Sequence, residues 1–196
     1  MSTVMQEARS GKPRHLPGEP GVWIFILGDM TIFALFFMTF IFYRAQDPAL
    51  FLESRTHLNQ HFGALNTLLL LASSWFVIMA VNAARKRMTH IATRLFSAAW
   101  LCGLGFVVVK YFEWGEKISA GITLTTNDFF MYYYVFTGIH LLHLLIGLGV
   151  LAFLISISRR GNFDDRNMMM LEGGASFWHM VDLLWIVLFP LLYMFQ

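Results

Sequence analysis

Charge is the scarcest commodity in this chain. Only 13% of its 196 residues are Asp, Glu, Lys or Arg, where a soluble domain carries about 25%. That excludes an ordinary water-soluble globule. Cysteine is nearly absent, and Cys102 stands alone inside an apolar run. No intrachain disulfide and no thiolate-built zinc or iron–sulfur site is open to it. Proline breaks only one long apolar run, at Pro190 near its end. The net charge is +2, and no nucleic-acid partner is expected. There is no internal repeat, no low-complexity tract and no Gly-rich phosphate loop.

What is present is apolar sequence in long runs. Hydrophobic residues make up 57%, mean hydropathy is +0.59, and phenylalanine alone contributes 20 residues. Five runs reach the length of about 20 residues that a bilayer requires: Val22–Tyr43, Ala64–Ala84, Ile91–Phe112, Phe129–Ile157 and Gly174–Phe195. The period-2 alternation of barrel strands is missing. The fold expected is therefore an all-α integral membrane protein, a bundle of five transmembrane helices. Residues 1–20 mix Glu7, Arg9, Lys12 and Arg14 with three prolines and read as a cytoplasmic lead-in, not a cleavable signal. Residues 21–196 form one membrane domain. Short connections leave no room for a separate catalytic unit.

Basic residues fix the expected direction. Arg9, Lys12, Arg14, Arg85, Lys86, Arg87, Arg94, Arg159, Arg160 and Arg166 fall on one side. The positive-inside rule places that side in the cytoplasm. The N-terminus is then inside and the C-terminus outside, in a bacterial inner membrane.

Polar residues inside the runs are the candidates for function. A charged side chain at the centre of a membrane helix costs about 2.5–3.5 kcal/mol on insertion scales, so it survives by facing protein or water. Asp29 lies about 10 Å below the cytoplasmic edge at 1.5 Å per residue. It heads an aromatic stripe of Phe33, Phe36 and Phe40. A hydrogen-bonded structural carboxyl and proton exchange with the cytoplasmic side are both open to it. His179 and Asp182 in FWHMVDLLWIVLFPLLY share one helix face, at a depth similar to Asp29. The three are expected to form a polar cluster near the proton-entry side. His140 and His143 repeat the same spacing near mid-membrane. Facing histidines can ligate haem, but hydrogen bonding between helices is the expected role.

Lys110 and Glu113 are either a local ion pair, worth about 0.2–0.5 kcal/mol on an exposed helix, or an inward tie between helices. His57 and His61 suit a solvated loop. Gly103, Gly105, Gly138, Gly147 and Gly149 permit close helix approach. Asn66, Ser73, Ser74 and Asn82 can hydrogen-bond across helices. Trp23, Tyr43, Trp114, Tyr132 and Tyr193 suit an interfacial aromatic belt. Met168, Met169 and Met170 sit on an inner loop.

Four blocks resemble subunit III of the haem-copper oxidases. They are GVWIFILGDMTIFALFF, ALNTLLLLASS, GLGFVVVKYFEWGE, and TGIHLLHLLIG followed by EGGASFWHMVDLLWIVLFPLLY. The resemblance implies a subunit that itself binds no haem, copper or other metal. Haem and copper or iron belong to the catalytic partner. Such subunits stabilise that partner, bind lipid in a cleft between helix bundles and help supply protons from the inner surface. Asp29 falls where many members have a carbodiimide-reactive glutamate, and Lys110 where many have glutamine. Glu113, His140, His143, Glu172, His179, Asp182 and Trp185 match the family pattern, which implies structural histidines.

Longer members have seven helices. This chain begins at the equivalent of the third, so the two-helix bundle and much of the lipid cleft are expected to be missing. Five-helix forms resemble subunit III of bo-type quinol oxidases and the accessory protein of nitric oxide reductase systems. The lead-in PGEPGVWIFILGDM looks closer to the latter. The expectation is thus a non-catalytic component of a respiratory oxidase or nitric oxide reductase. The rivals are a self-contained proton-linked transporter or channel and a haem-b cytochrome. Against a transporter, no inverted repeat or pair of broken helices is evident.

Overall fold

The computed structural model describes residues 20–194. The expected lead-in at residues 1–20 therefore lies almost wholly outside the described residues. The chain runs α1 (Pro20–Gln46), α2 (Pro48–Thr56), α3 (Gln60–Arg85), α4 (Thr89–Ser119), α5 (Asp128–Arg160) and α6 (Asp165–Phe189), closed by a π-helical turn, Pro190–Met194. All but α2 and the final turn are long and apolar enough to cross a membrane. One end of the bundle gathers the α3–α4 and α5–α6 connections with their arginines and is called here the basic end. The other carries α2.

Local chemistry sets the helix starts. Side chains of Asp47, Asn59, Asn127 and Asp164 accept the amide hydrogens of Leu50, His61, Phe130 and Asn167. Each satisfies one backbone donor that a first turn leaves unpaired. Gly161, at φ 67°, ends α5 in the left-handed conformation that glycine adopts without a steric penalty.

The caps of α3, α5 and α6 lie ahead of the apolar runs, so those helices start before the expected spans. The third spanning helix continues past Phe112 to Ser119. The last starts at Asp165, not Gly174, so Met168–Met170 belong to its opening turns and not to a loop. The first connection is not a plain loop either, because Pro48 and the Asp47 cap start α2. His57 and His61 flank the connection between α2 and α3.

Packing is uneven. Of the most apolar window of α1, 17% is buried, against 56% for α6. Helix α6 is the hub, in contact with α1, α3 and α5. At its centre the Trp178 ring fills the space between Gly103 and Gly147, where an added Cβ would come within 2.7 and 2.8 Å of it. The Trp178 indole N–H donates to Ser73 Oγ at 3.0 Å, which donates on to the Ala99 carbonyl at 2.9 Å. One indole thus joins α3, α4, α5 and α6. Gly149, expected to allow close approach, has nothing within 4 Å of an added Cβ.

Helix α1 attaches through the stripe headed by Asp29. Phe33 meets the His143 ring at 5.7 Å, and Phe36 and Phe40 meet Phe136 at 6.2 and 5.8 Å. The opposite face, with Ile24, Leu27, Leu35 and Met38, is exposed as a lipid-facing surface would be.

Candidate functional site

Four groups of polar side chains lie within the bundle. The first is toward the α2 end and is fully enclosed. Lys110 is 1% exposed and Glu113 is 0% exposed. Lys110 Nζ donates to Glu113 Oε2 at 3.0 Å, to Tyr193 Oη at 3.0 Å and to Tyr133 Oη at 3.3 Å. Both tyrosine hydroxyls donate to Glu113 Oε1. The Lys110 ammonium also stands 5.1 Å from the Trp185 ring centroid. This is the inward tie among α4, α5 and the C-terminal turn, with every polar atom paired. Tyr193 belongs to it and is buried, so it is not part of an interfacial belt.

The second group is Asp29 with His143. Asp29 Oδ1 lies 3.1 Å from His143 Nε2. His143 Nδ1 lies 2.8 Å from the Ile139 carbonyl, which can only accept, so Nδ1 carries hydrogen. Asp29 Oδ1 and the second ring nitrogen thus meet as a pair between α1 and α5. The expected cluster of Asp29, His179 and Asp182 is therefore divided. Asp29 takes its partner from α5 because the aromatic stripe seats α1 there.

The third group joins α3 and α6. Ser74 Oγ and His179 Nδ1 are 2.6 Å apart. Asp182 lies against the same hydroxyl, and neither of its carboxylate oxygens has a hydrogen-bond partner among the described residues. Toward the basic end, Arg85 Nη2 donates to Glu172 Oε1 at 2.8 Å. Those two residues and His179 line a groove of about 180 Å³.

The fourth group is central. The His140 ring packs between Phe106 and Trp185, at 5.5 and 5.2 Å. Trp185 donates its indole N–H to Thr67 Oγ1 at 3.1 Å. Among the described residues, neither ring nitrogen of His140 and neither amide atom of Asn66 has a hydrogen-bond partner. Among the described residues, no three His, Cys, Asp or Glu side chains converge as a metal would require.

The family model for cytochrome c oxidase subunit III matches residues 18–196. The chain belongs to the cytochrome c oxidase subunit III family. It is 29% identical to cytochrome c oxidase subunit 3 of Synechocystis, covering 89% of this chain and 74% of that protein. It is 28% identical to the probable cytochrome c oxidase subunit 3 of Mycobacterium bovis, over 88% of this chain and 85% of the relative. A heme-copper oxidase subunit I+III of Aeropyrum pernix is 27% identical across 99% of this chain, which spans 25% of that protein's length. The likenesses identify a multi-pass membrane subunit at family level. They do not single out the nitric oxide reductase branch.

Within this subunit III fold, sequence reasoning missed Tyr133 and Tyr193 as partners of Lys110 and Glu113. The signal was present, because two ionisable groups one turn apart in an apolar run need polar partners. Ser74 was legible as a cross-helix donor, but its meeting with His179 was not. Trp178 gave no sign of its central place beyond its neighbourhood to His179.

Proposed function

We propose that this chain is a non-redox subunit that packs against the catalytic subunit of a haem-copper oxidase and stabilises it in the bacterial inner membrane. The family match over residues 18–196 carries this reading. The Aeropyrum relative, whose name joins subunits I and III, supports a partner of the subunit I kind. Haem and metal reside in that partner. Lipid covers the outer apolar faces. The ten basic residues on one side support a cytoplasmic N-terminus and an outer C-terminus. The groups Asp29–His143 and Ser74–His179–Asp182 then lie where proton supply from the cytoplasmic side is open to them. Glu113, His140, Glu172 and Trp185 serve the scaffold.

Extraction of the tagged chain in mild detergent, with identification of what stays bound, tests the proposal. The expected result is a stoichiometric haem-bearing large subunit, with the optical signal staying with that subunit when this chain is stripped away. A nitric oxide reductase in that place moves the assignment to the other branch. Haem on the isolated chain, or ion flux through liposomes containing only this chain, overturns it.

A further inference from the structure

One face of α6 carries Glu172, Ser176, His179 and Asp182, spaced i, i+4, i+7, i+10. The facing side of α3 carries Arg85, Asn82, Ile78 and Ser74 in the opposite direction. Their upper parts form the groove of about 180 Å³, with the Arg85–Glu172 ion pair at its mouth. A space of this size has room for several waters. Its floor is His179, whose other side is 2.6 Å from Ser74 Oγ. Asp182 lies beside the serine hydroxyl and is 3% exposed, with neither oxygen in a hydrogen bond among the described residues.

A buried carboxylate with no donor is costly, because its hydration is lost and nothing replaces it. A carboxylic acid in the same place loses far less. Nothing charged stands close enough to hold the ionised form. Arg85 is committed to Glu172, Lys110 to Glu113, and the His143 of α5 to the Asp29 of α1. His140 of α5 also faces α6, where its ring packs between Phe106 and Trp185.

We infer that Asp182 is a proton-exchange site, loaded from solvent in the Arg85–Glu172 groove through His179 and Ser74. The steps balance. A groove water cluster delivers a proton to Nε2 of the imidazole. Nδ1–H passes its proton to Ser74 Oγ, whose own hydrogen moves to the Asp182 carboxylate. The ring is left as the Nε2–H tautomer; on unloading, the Asp182 proton returns through Ser74 Oγ to Nδ1 while Nε2–H is released to the groove water, which restores the starting tautomer. No oxidant or metal takes part. The inference rests on the proposed subunit reading only for which side supplies the proton. A missing partner leaves the exchange intact, and a failed exchange leaves the partner assignment standing.

Infrared difference spectroscopy of the full chain in lipid vesicles tests it, read in the carbonyl stretch of protonated carboxyls. The wild type is expected to show an aspartic acid band at neutral pH that moves on transfer to heavy water. Carbon-13 labelling of aspartate shifts this band, which separates it from glutamate without any mutation. Asp182→Asn removes it, and Asp182→Glu moves it. Ser74→Ala and His179→Leu keep the band but slow its hydrogen–deuterium exchange at least tenfold. Unchanged thermal unfolding in those two variants shows that slower exchange is not misfolding. The inference is overturned by no labelled band at neutral pH, by labelled bands left unchanged in Asp182→Asn, or by exchange as fast in Ser74→Ala and His179→Leu as in the wild type.

Discussion

Two polar groups in this bundle have opposite character. Lys110, Glu113, Tyr133 and Tyr193 form a closed set in which every donor and acceptor is matched. Ser74, His179 and Asp182 form an open set, with one close contact and a carboxyl that has no partner. Both sit in helices of comparable apolarity. The difference lies in what each can exchange. A network in which each polar atom has a partner must break a bond to change protonation and resists change, whereas an unpaired group beside a groove can gain or lose a proton without that cost. Closure makes a clamp and openness makes a port.

The largest blow to the closed set is removal of one charge. Glu113→Leu leaves Lys110 buried without its counter-ion and is expected to lower stability by about 3–5 kcal/mol. Thermal unfolding in detergent measures this. Combined replacement by Lys110→Met and Glu113→Leu is expected to recover most of the loss, since no charge is then stranded. If the double variant is as unstable as the single one, the network is held by something other than its ion pair.

Gly147→Ala sharpens the contrast between tight and open packing. The new methyl meets the Trp178 ring, which Gly103 confines from the other side, so a loss of about 1–3 kcal/mol is expected. Gly149→Ala meets nothing, and its unfolding midpoint should match the wild type. Equal effects in the two variants would remove Trp178 from its place as the joint of the four helices.

Asp29→Ala deletes the Asp29–His143 tie of α1 and leaves its aromatic stripe in place. Loss of a hydrogen bond to a charged group costs about 1.5–3 kcal/mol when buried, and about 1 kcal/mol is expected at this partly accessible position. Amide hydrogen exchange should rise in α1 and leave α4 unchanged. The smallest effect belongs to Arg85→Ala, whose side chain is 54% exposed. Such pairs contribute about 0–1 kcal/mol, and the stability change should fade as salt is raised.

Much of this was legible from residue order. The aromatic stripe on α1 reads directly from Asp29, Phe33, Phe36 and Phe40, because helical periodicity is local. The family blocks were legible for the same reason. Asp29 was misassigned to His179 and Asp182 because depth in a membrane fixes height but not which neighbour a helix meets. His143 lies at a comparable height on α5, and seating of Phe33 and Phe36 there made the choice. Tyr193 was misread as interfacial because the π-helical turn after Pro190 rotates it inward, which apolarity alone does not reveal.

By itself the sequence determined five apolar helices, the family, and the presence of ionisable groups that water could not reach. Apolar length and helical period are properties of a single segment, so neighbours are not needed to read them. Which acid met which base, which carboxyl was left without a partner and where a groove opened were decided only when helices packed. Those are relations between segments far apart in the chain, and side-chain contact over a few ångströms settles them.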